Sequence, residues 1–220
     1  MIKINKLLAL SIIVVAMSCQ NNKVDSGKAE TVNLVNTNNT LTYNIIKTES
    51  FLNWTASHLG GIDAREGKIY CKEATVLVNN ERVTNINTLI DMNSLTVDNL
   101  ALDDAQELGE HLKSSDFFNI KKYPFSEFNL TNIEEIVGEY NSKITGNLTI
   151  LDISKSITFK GNINILEKEV SLESEYFVID RSDWGLTYHA EGAEGVPLNY
   201  LISDNLGFEI NILVKKQITK

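Results

Sequence analysis

The sequence predicts an all-β protein, built as an antiparallel barrel of eight strands with one short helix and a long loop at its mouth. Apolar and polar residues alternate over most of the chain, turn-forming residues separate these runs at short intervals, and two segments interrupt the rhythm. Short links favour hairpins, so neighbouring strands should be antiparallel. Eight or so strands close naturally into a barrel, because closure removes exposed edges. A two-sheet sandwich has the same periodicity and stays an alternative.

The clearest alternation predicts strands at 140–150, 157–165 and 208–214. Less regular runs predict further strands at about 42–48, 50–59, 67–78, 83–92, 125–133 and 169–179. Turn signals stand between them at Gly60-Gly61, Asn79-Asn80, Gly138 and Glu167-Lys168. Gly146 and Gly161 fall on inward-facing positions, where glycine eases strand curvature or leaves room, and this favours the barrel.

Two segments break the hairpin pattern, and breaks in a regular scaffold often carry binding sites. In the first, apolar residues at helical spacing predict a helix over 101–113, and Pro124 prevents it from continuing. Phe117 and Phe118 lie between the helix and the next strand and must be buried there. The second break runs from 185 to 206 and combines glycines with apolar residues, which suits either a flap or an ordinary surface loop.

The amino terminus has the order of an export signal. Lys3 and Lys6 precede an apolar run over 7–16, which is too short to span a bilayer, and Met17-Ser18-Cys19 follows. This order resembles a bacterial lipobox, with Ala16 where leucine is commoner. The resemblance implies that residues 1–18 are a signal peptide and that Cys19 carries a lipid anchor. Residues 19–40 are polar and without periodicity, so we expect a flexible tether reaching about 25 Å, followed by one domain over 41–220.

Charge and cysteine content exclude several classes of function. The formal net charge is −9, and loss of Lys3 and Lys6 with the signal would change it to −11. An acidic chain without clustered Lys and Arg is a poor match for nucleic acid. If Cys19 is acylated, Cys71 stays alone and no disulfide forms within the mature chain. Cys71 stands in a strand-like run, where a small core residue is expected rather than a nucleophile.

Motifs for catalysis and metal binding are not found in the sequence. The chain has no Gly-x-Ser-x-Gly, His-Glu-x-x-His or paired-cysteine pattern. His58, His111 and His189 are far apart and lack a second ligand at a fixed spacing. We therefore expect no metal, no cofactor and no enzymatic activity, and an enzyme is the third possibility behind the two described below.

Six segments carry an ordered pattern, at 54–60, 67–69, 90–95, 111–124, 144–150 and 179–185. Together they resemble the YceI-like family of lipocalin-like, polyisoprenoid-binding periplasmic proteins. The resemblance implies a barrel whose interior holds a long apolar tail, without catalysis. One departure is Leu151-Asp152, where the family commonly has a glycine-threonine turn, although Asp152 can also form a turn.

The leading hypothesis is binding, sequestration or transport of a polyisoprenoid or similar long-chain lipid in the bacterial cell envelope, by a barrel anchored through Cys19 on a periplasm-facing or outer surface. The alternative is a structural lipoprotein with a side-chain-filled barrel that docks an envelope partner, and a homodimer stays open. Arg181 and Tyr188 are candidate polar contacts, although Arg181 could instead pair with Asp180 or Asp183. The candidate residues for the cavity and its mouth are Trp54, His58, Leu59, Ile69, Leu89, Leu108, Leu112, Phe117, Phe118, Phe128 and Trp184.

Overall fold

The structure is a computed structural model that describes residues 22–32 and 40–217. The predicted signal peptide and Cys19 lie outside the described residues. Within the described ranges the chain forms eleven strands and one α-helix. Their bounds are β1 Gly27–Lys28, β2 Leu41–Ile45, β3 Phe51–Ala56, β4 Arg65–Asn79, β5 Arg82–Asp91, α1 Leu102–Lys113, β6 Phe125–Glu135, β7 Ser142–Ile150, β8 Ile153–Ile165, β9 Glu169–Ser174, β10 Phe177–Asp180 and β11 Asn205–Lys216.

The sheet closes into a ring of eight positions, so the predicted antiparallel barrel is confirmed and the sandwich alternative is wrong. Strands β4 to β8 each pair with the next strand along the chain, and β9 pairs with β11. Strands β2 and β3 share one position between β11 and β4. Strands β9 and β10 likewise pair with successive parts of β11.

The predicted alternation holds on β7, β8 and β11, whose inward side chains form much of the core. Ile144, Phe159 and Val214 are almost completely buried. The rings of Phe159 and Phe177 stack with their centroids 4.8 Å apart across the barrel interior. Burial of such side chains is the main favourable contribution to folding, at about 25 cal/mol per Å² of apolar surface.

Two irregularities shift the inward face on β4 and β5. The pairing between them skips Lys72 on β4 and Thr84 on β5. Each extra residue moves the following side chains to the opposite face of the sheet, because side chains alternate with a period of two. Leu89 consequently points outward, where its register partners are the exposed Glu73 and Glu127.

Two hairpins use residues with positive φ at both turn positions, which matches the twist of the strands they join. Asn80 and Glu81 have φ of 47° and 59° between β4 and β5. Leu151 and Asp152 have φ of 52° and 62° between β7 and β8. The expectation that Asp152 forms a turn in place of the glycine-threonine pair is confirmed.

Residues 22–32, which we name the N-terminal strap, differ from the flexible coil that their composition predicts. The strap lies on the outside of the barrel and fills the gap that opens between β8 and β10. Val24 N–H donates to the Val178 carbonyl on β10 at 2.7 Å, and β1 within the strap pairs with Ser156 and Lys155 on β8. The domain boundaries themselves stay a prediction.

Polar side chains, rather than apolar burial, hold most of the strap. The amide of Asn147 donates to the Glu30 carbonyl at 2.7 Å and accepts from the Glu30 N–H at 2.8 Å. Lys23 pairs with Asp180 at 3.1 Å, and Ser26 donates to Asp183. These partners are spread over β7 and the β10 end, so the sequence of the strap alone carries no sign of them.

The predicted run over 169–179 divides into β9 and β10 at Glu175 and Tyr176. The buried Glu175 carboxylate accepts the Lys160 N–H at 2.8 Å and the Asn22 amide at 3.1 Å. A carboxylate thus takes the place of a strand carbonyl at the point where β8 and β10 diverge.

Helix α1 is found where it is predicted and lies across one end of the barrel. Ala105, Leu108 and Leu112 pack against the core, whereas Leu102 at the helix start is exposed. No helix in the described part of the chain has the length and apolar content needed to cross a bilayer.

Gly146 offers a direct test of how tightly the barrel is packed. A Cβ atom at this position would overlap the Phe128 ring and come within 2.7 Å of the Asn129 carbonyl oxygen. We expect Gly146→Ala to lower the free energy of unfolding by about 1–3 kcal/mol, since overpacking forces side chains and backbone to shift. The matched control is Gly109→Ala in α1, where nothing lies within 4 Å of the new Cβ and alanine favours the helix. Urea unfolding measures both, and equal effects would contradict the packing argument.

Candidate functional site

A cavity of about 280 Å³, which we name the mouth chamber, lies between α1 and the open end of the barrel. Helix α1 forms one wall with Leu108 and Leu112, and the end of β3 contributes Trp54. Its other apolar lining residues come from strand ends and loops: Ala56, Leu100, Phe117, Phe118, Leu186, Ile202 and Leu206. The polar residues at its margin are Ser57, His58, Asp63, Arg65 and Arg181.

A second, smaller cavity of about 50 Å³, the inner cavity, lies in the barrel itself. It has room for one or two water-sized groups. Its lining is apolar apart from Thr88 and Ser126. The apolar residues are Leu52, Ile69, Ile90, Met92, Phe118, Phe128, Leu148, Ile150, Ile157, Phe159, Leu172, Phe177, Phe208, Ile210 and Ile212.

Phe118 lines both cavities and is only 9% exposed. Its backbone lies in the turns that follow α1, where the Phe118 N–H donates to the Leu112 carbonyl at 3.0 Å. The prediction that the two phenylalanines after the helix are covered therefore holds for Phe118, which is buried, and for Phe117, which is half-buried.

An aromatic cluster joins α1 to the loop over 185–204. The Phe117 ring lies 5.1 Å from the His111 ring and 5.0 Å from the Tyr188 ring, and Tyr188 stacks on His189 at 4.0 Å. His111 also contacts Asp116 through Nε2 at 3.2 Å. This cluster fixes the free side of the helix to the loop and so closes the outer side of the mouth chamber.

Arg181 is almost completely buried, and its guanidinium is occupied by the protein's own oxygens. It donates to the carbonyls of Ser203 at 3.0 Å and Ile202 at 3.1 Å, and also to the Leu186 carbonyl. Its ion-pair partner is Asp204 at 3.3 Å, so the alternative of a pairing with Asp180 or Asp183 is wrong. Burial lowers the pKa of the Arg181 guanidinium, opposed by the nearby carboxylates. Arg181 thus holds the loop in place at the edge of the chamber.

Asp180 and Asp183 have other partners. Asp180 accepts from Ser182 and pairs with Lys23, which together hold the pKa of its carboxyl below the ordinary value although its partial burial acts in the opposite direction. Asp183 accepts from Ser26 of the strap. Both acids therefore belong to the attachment of the strap.

The remaining predicted residues separate into three groups. Trp54, His58, Leu108, Leu112 and Phe117 line the mouth chamber, whereas Ile69 and Phe128 line the inner cavity. Four predicted residues line neither cavity: Leu59, Leu89, Trp184 and Tyr188.

Each of these four has a structural reason for its place. Trp184 is fully buried behind β7, where its indole N–H donates to the Leu148 carbonyl at 3.0 Å. Leu59 is half-buried in a turn bonded through its N–H to Leu201. Leu89 was displaced outward by the β5 irregularity, and Tyr188 belongs to the aromatic cluster.

Many lining residues were absent from the predicted set, although the alternation on β7, β8 and β11 already carried a signal for several of them. Leu148, Ile157 and Phe208 stand on apolar faces that the sequence identifies. The inward position of Thr88 and Ile90 depends on the β5 irregularity, and no residue type in the sequence indicates that irregularity.

The site has little chemistry for catalysis. His58 Nδ1 lies 3.7 Å from the Asp63 carboxylate, and both side chains are partly exposed. Burial raises the pKa of the Cys71 thiol to about 12, so this thiol stays protonated and unreactive at neutral pH, as expected for a core residue. Among the described residues, no group of three or more His, Cys, Asp or Glu side chains could hold a metal ion.

Comparisons with known proteins agree with this geometry. The model of the YceI-like domain matches residues 43–214. A UPF0312 protein of Pseudomonas putida strain W619 is 38% identical over 58 residues, which are 26% of this chain and 30% of that relative. The match thus spans less than a third of the relative's length.

Two solved structures share the fold at low sequence identity. A polyisoprenoid binding domain from Saccharophagus degradans, implicated in plant cell wall breakdown, has a TM-score of 0.58 and 13% identity, covering 80% of this chain and 99% of that one. BcnA of Burkholderia cenocepacia has a TM-score of 0.55 and 16% identity, covering 74% of this chain and 95% of that one. The lipocalin-like form of the barrel is confirmed.

The Thr88 hydroxyl tests whether a polar group in the lining of the inner cavity lowers the stability of the protein. Thr88 Oγ1 is buried and has no hydrogen-bond partner within the described residues. We expect Thr88→Val to raise the free energy of unfolding by about 1 kcal/mol, because an unsatisfied buried hydroxyl is removed. Thr158→Val is the control, since it breaks the 2.8 Å bond to Thr145 and should destabilise. Denaturant unfolding without added lipid measures both, and a less stable Thr88→Val would contradict the argument.

Proposed function

The chain belongs to the YceI-like family, and we propose that it binds one long-chain amphipathic lipid, a polyisoprenoid or a similar chain, and sequesters or carries it in the bacterial cell envelope. The observation that carries this proposal is the mouth chamber, a mostly apolar space of about 280 Å³ next to an apolar barrel interior. Pockets for small ligands usually begin at about 300 Å³, so the chamber alone is near the size of a binding site.

The lining favours the tail of a lipid over a polar molecule. The polar side chains of the mouth chamber lie at its margin. The inner cavity is lined by apolar side chains apart from Thr88 and Ser126. Transfer of apolar surface out of water contributes about 25 cal/mol per Å² without specific hydrogen bonds. We therefore propose that several tails of similar length bind, with little discrimination between their chemical details.

Exposed apolar side chains around the mouth support uptake from a bilayer. Leu102 at the start of α1 is 83% exposed, and Leu198 in the long loop is 77% exposed. Ile62 and Tyr200 are more than half exposed on two turns that contact each other through the Leu59–Leu201 hydrogen bond. Such side chains suit the boundary between headgroups and acyl chains.

A barrel without a ligand, which docks an envelope partner, is the second candidate. The small size of the inner cavity favours it, because most of the interior is filled by the protein's own side chains. The two candidates differ in whether a lipid accompanies the purified protein.

The test is native mass spectrometry of the exported chain carrying Cys19→Ser, followed by solvent extraction of any bound molecule. We expect one long-chain lipid per protein. Leu112→Asp places a charge in the chamber and should lower occupancy at least tenfold, since the carboxylate loses hydration next to the tail. Leu166→Asp is the matched control, because it makes the same change on an exposed side chain between β8 and β9 that lines neither cavity.

Two results would contradict lipid binding. One is a protein that stays free of ligand after incubation with polyprenols and fatty acids. The other is an equal loss of occupancy in the two variants when thermal melts show both to be folded. The first result would favour the partner-docking candidate.

We also propose that Cys19 is acylated and anchors the protein to a membrane. The support is the order of charge, apolar run and Cys19 in the sequence. Two or more acyl chains give stable anchoring, whereas one chain gives marginal binding. Cells grown with a clickable fatty acid should label the wild type and Cys71→Ser but not Cys19→Ser. An unlabelled wild type would contradict the proposal.

A further inference from the structure

We propose that Phe118 is a gate between the mouth chamber and the inner cavity, and that it sets which tail length the protein takes up rapidly. The inference rests on the proposed function, because it assumes that the ligand is an apolar tail. It adds a residue that determines specificity, which the lining of the barrel alone does not identify.

The first step is the position of the side chain. Among the described residues, Phe118 is the one that lines both cavities. Leu112 and Phe117 line the chamber together with Phe118, and Ile90 and Met92 line the inner cavity together with it. A tail that enters through the mouth must displace this ring before it reaches the barrel interior.

The second step is a comparison of volumes. A water-sized group occupies ~30 Å³, and a methylene group is of similar size. The chamber of about 280 Å³ therefore holds on the order of ten carbon atoms. The inner cavity of about 50 Å³ adds one or two more. A ten-carbon tail therefore fits with the Phe118 ring in place, whereas a twenty-carbon tail requires that the ring move and that the barrel side chains rearrange.

The third step is the freedom of the ring to move. Phe118 lies in the turns between α1 and β6, and its phenyl ring forms no hydrogen bond, so a change of rotamer costs packing contacts alone. Phe117 is held by two ring contacts, to His111 and Tyr188, but no ring contact to Phe118 is found among the described residues. The neighbouring Phe117 can thus keep α1 attached to the loop while Phe118 changes rotamer.

Phe128 provides the comparison that separates a gate from a wall. It has the same side chain and is 6% exposed, close to the 9% of Phe118, but it lines the inner cavity alone. Shortening either ring removes the same volume. Only shortening of Phe118 widens the passage, so the two variants should differ in association rate.

The experiment is stopped-flow tryptophan fluorescence of the exported chain, mixed with geraniol, farnesol or geranylgeraniol. Trp54 lines the chamber and reports entry of the alcohol. We expect Phe118→Leu to raise the association rate of the twenty-carbon alcohol at least tenfold and to leave that of the ten-carbon alcohol within twofold. Phe128→Leu enlarges the inner cavity without widening the passage, so it should raise the rate of the twenty-carbon alcohol by less than threefold. Thermal melts of both variants confirm that they are folded.

The outcomes separate the gate from the proposed function. A similar rate change for all three alcohols in Phe118→Leu, or the same chain-length effect in Phe128→Leu, overturns the gate and leaves lipid binding intact. No change in either variant for a wild type that binds also overturns the gate. Absence of binding of every alcohol by the wild type and both variants overturns the gate together with lipid binding.

Discussion

The barrel depends on β11, because this strand closes the ring. Along one edge β11 bonds to β2 and β3, and along the other it bonds to β9 and β10. The strands on these edges come from opposite parts of the chain, so closure joins residues about 160 positions apart, such as Leu52 and Ile210. Non-local pairing of this kind makes folding slow, since chain entropy is lost before the contacts form. The inward residues of β11 also line the inner cavity, so the cavity is complete only when the ring is closed.

Local rules were sufficient for most of the scaffold. Alternation located β7, β8 and β11, the helical spacing located α1, and the turn residues located the hairpins, because each of these features is decided by a few neighbouring residues. The residues of β4 and β5 that face the barrel interior were not predictable in the same way. An extra residue at Lys72 or Thr84 has no composition of its own, and it reverses the side of every residue that follows.

The same distinction between local and long-range determinants applies to the candidate site. Leu108, Leu112, Phe117 and Phe118 were predictable because the helix and the proline after it leave them one place to be buried. Arg181 was ambiguous, since its partners are carbonyls at 186, 202 and 203 together with Asp204, all in a loop without periodicity. The strap was missed because Asn147 and Glu175, which bind it, follow it by more than a hundred residues. Long-range polar contacts of this kind leave no pattern in a local stretch of sequence.

The strap changes the geometry that a lipid on Cys19 would impose. Two residues separate Cys19 from Asn22, so the acylated residue could lie no more than about 11 Å from the barrel wall at β10. A long flexible coil would let the domain take any orientation relative to the membrane. A docked strap would instead hold the wall at β8 and β10 close to the bilayer and restrict the orientations of the domain. The angle between mouth and bilayer would then be a property of the fold, encoded by where the strap is bound and independent of the length of polar sequence before β2.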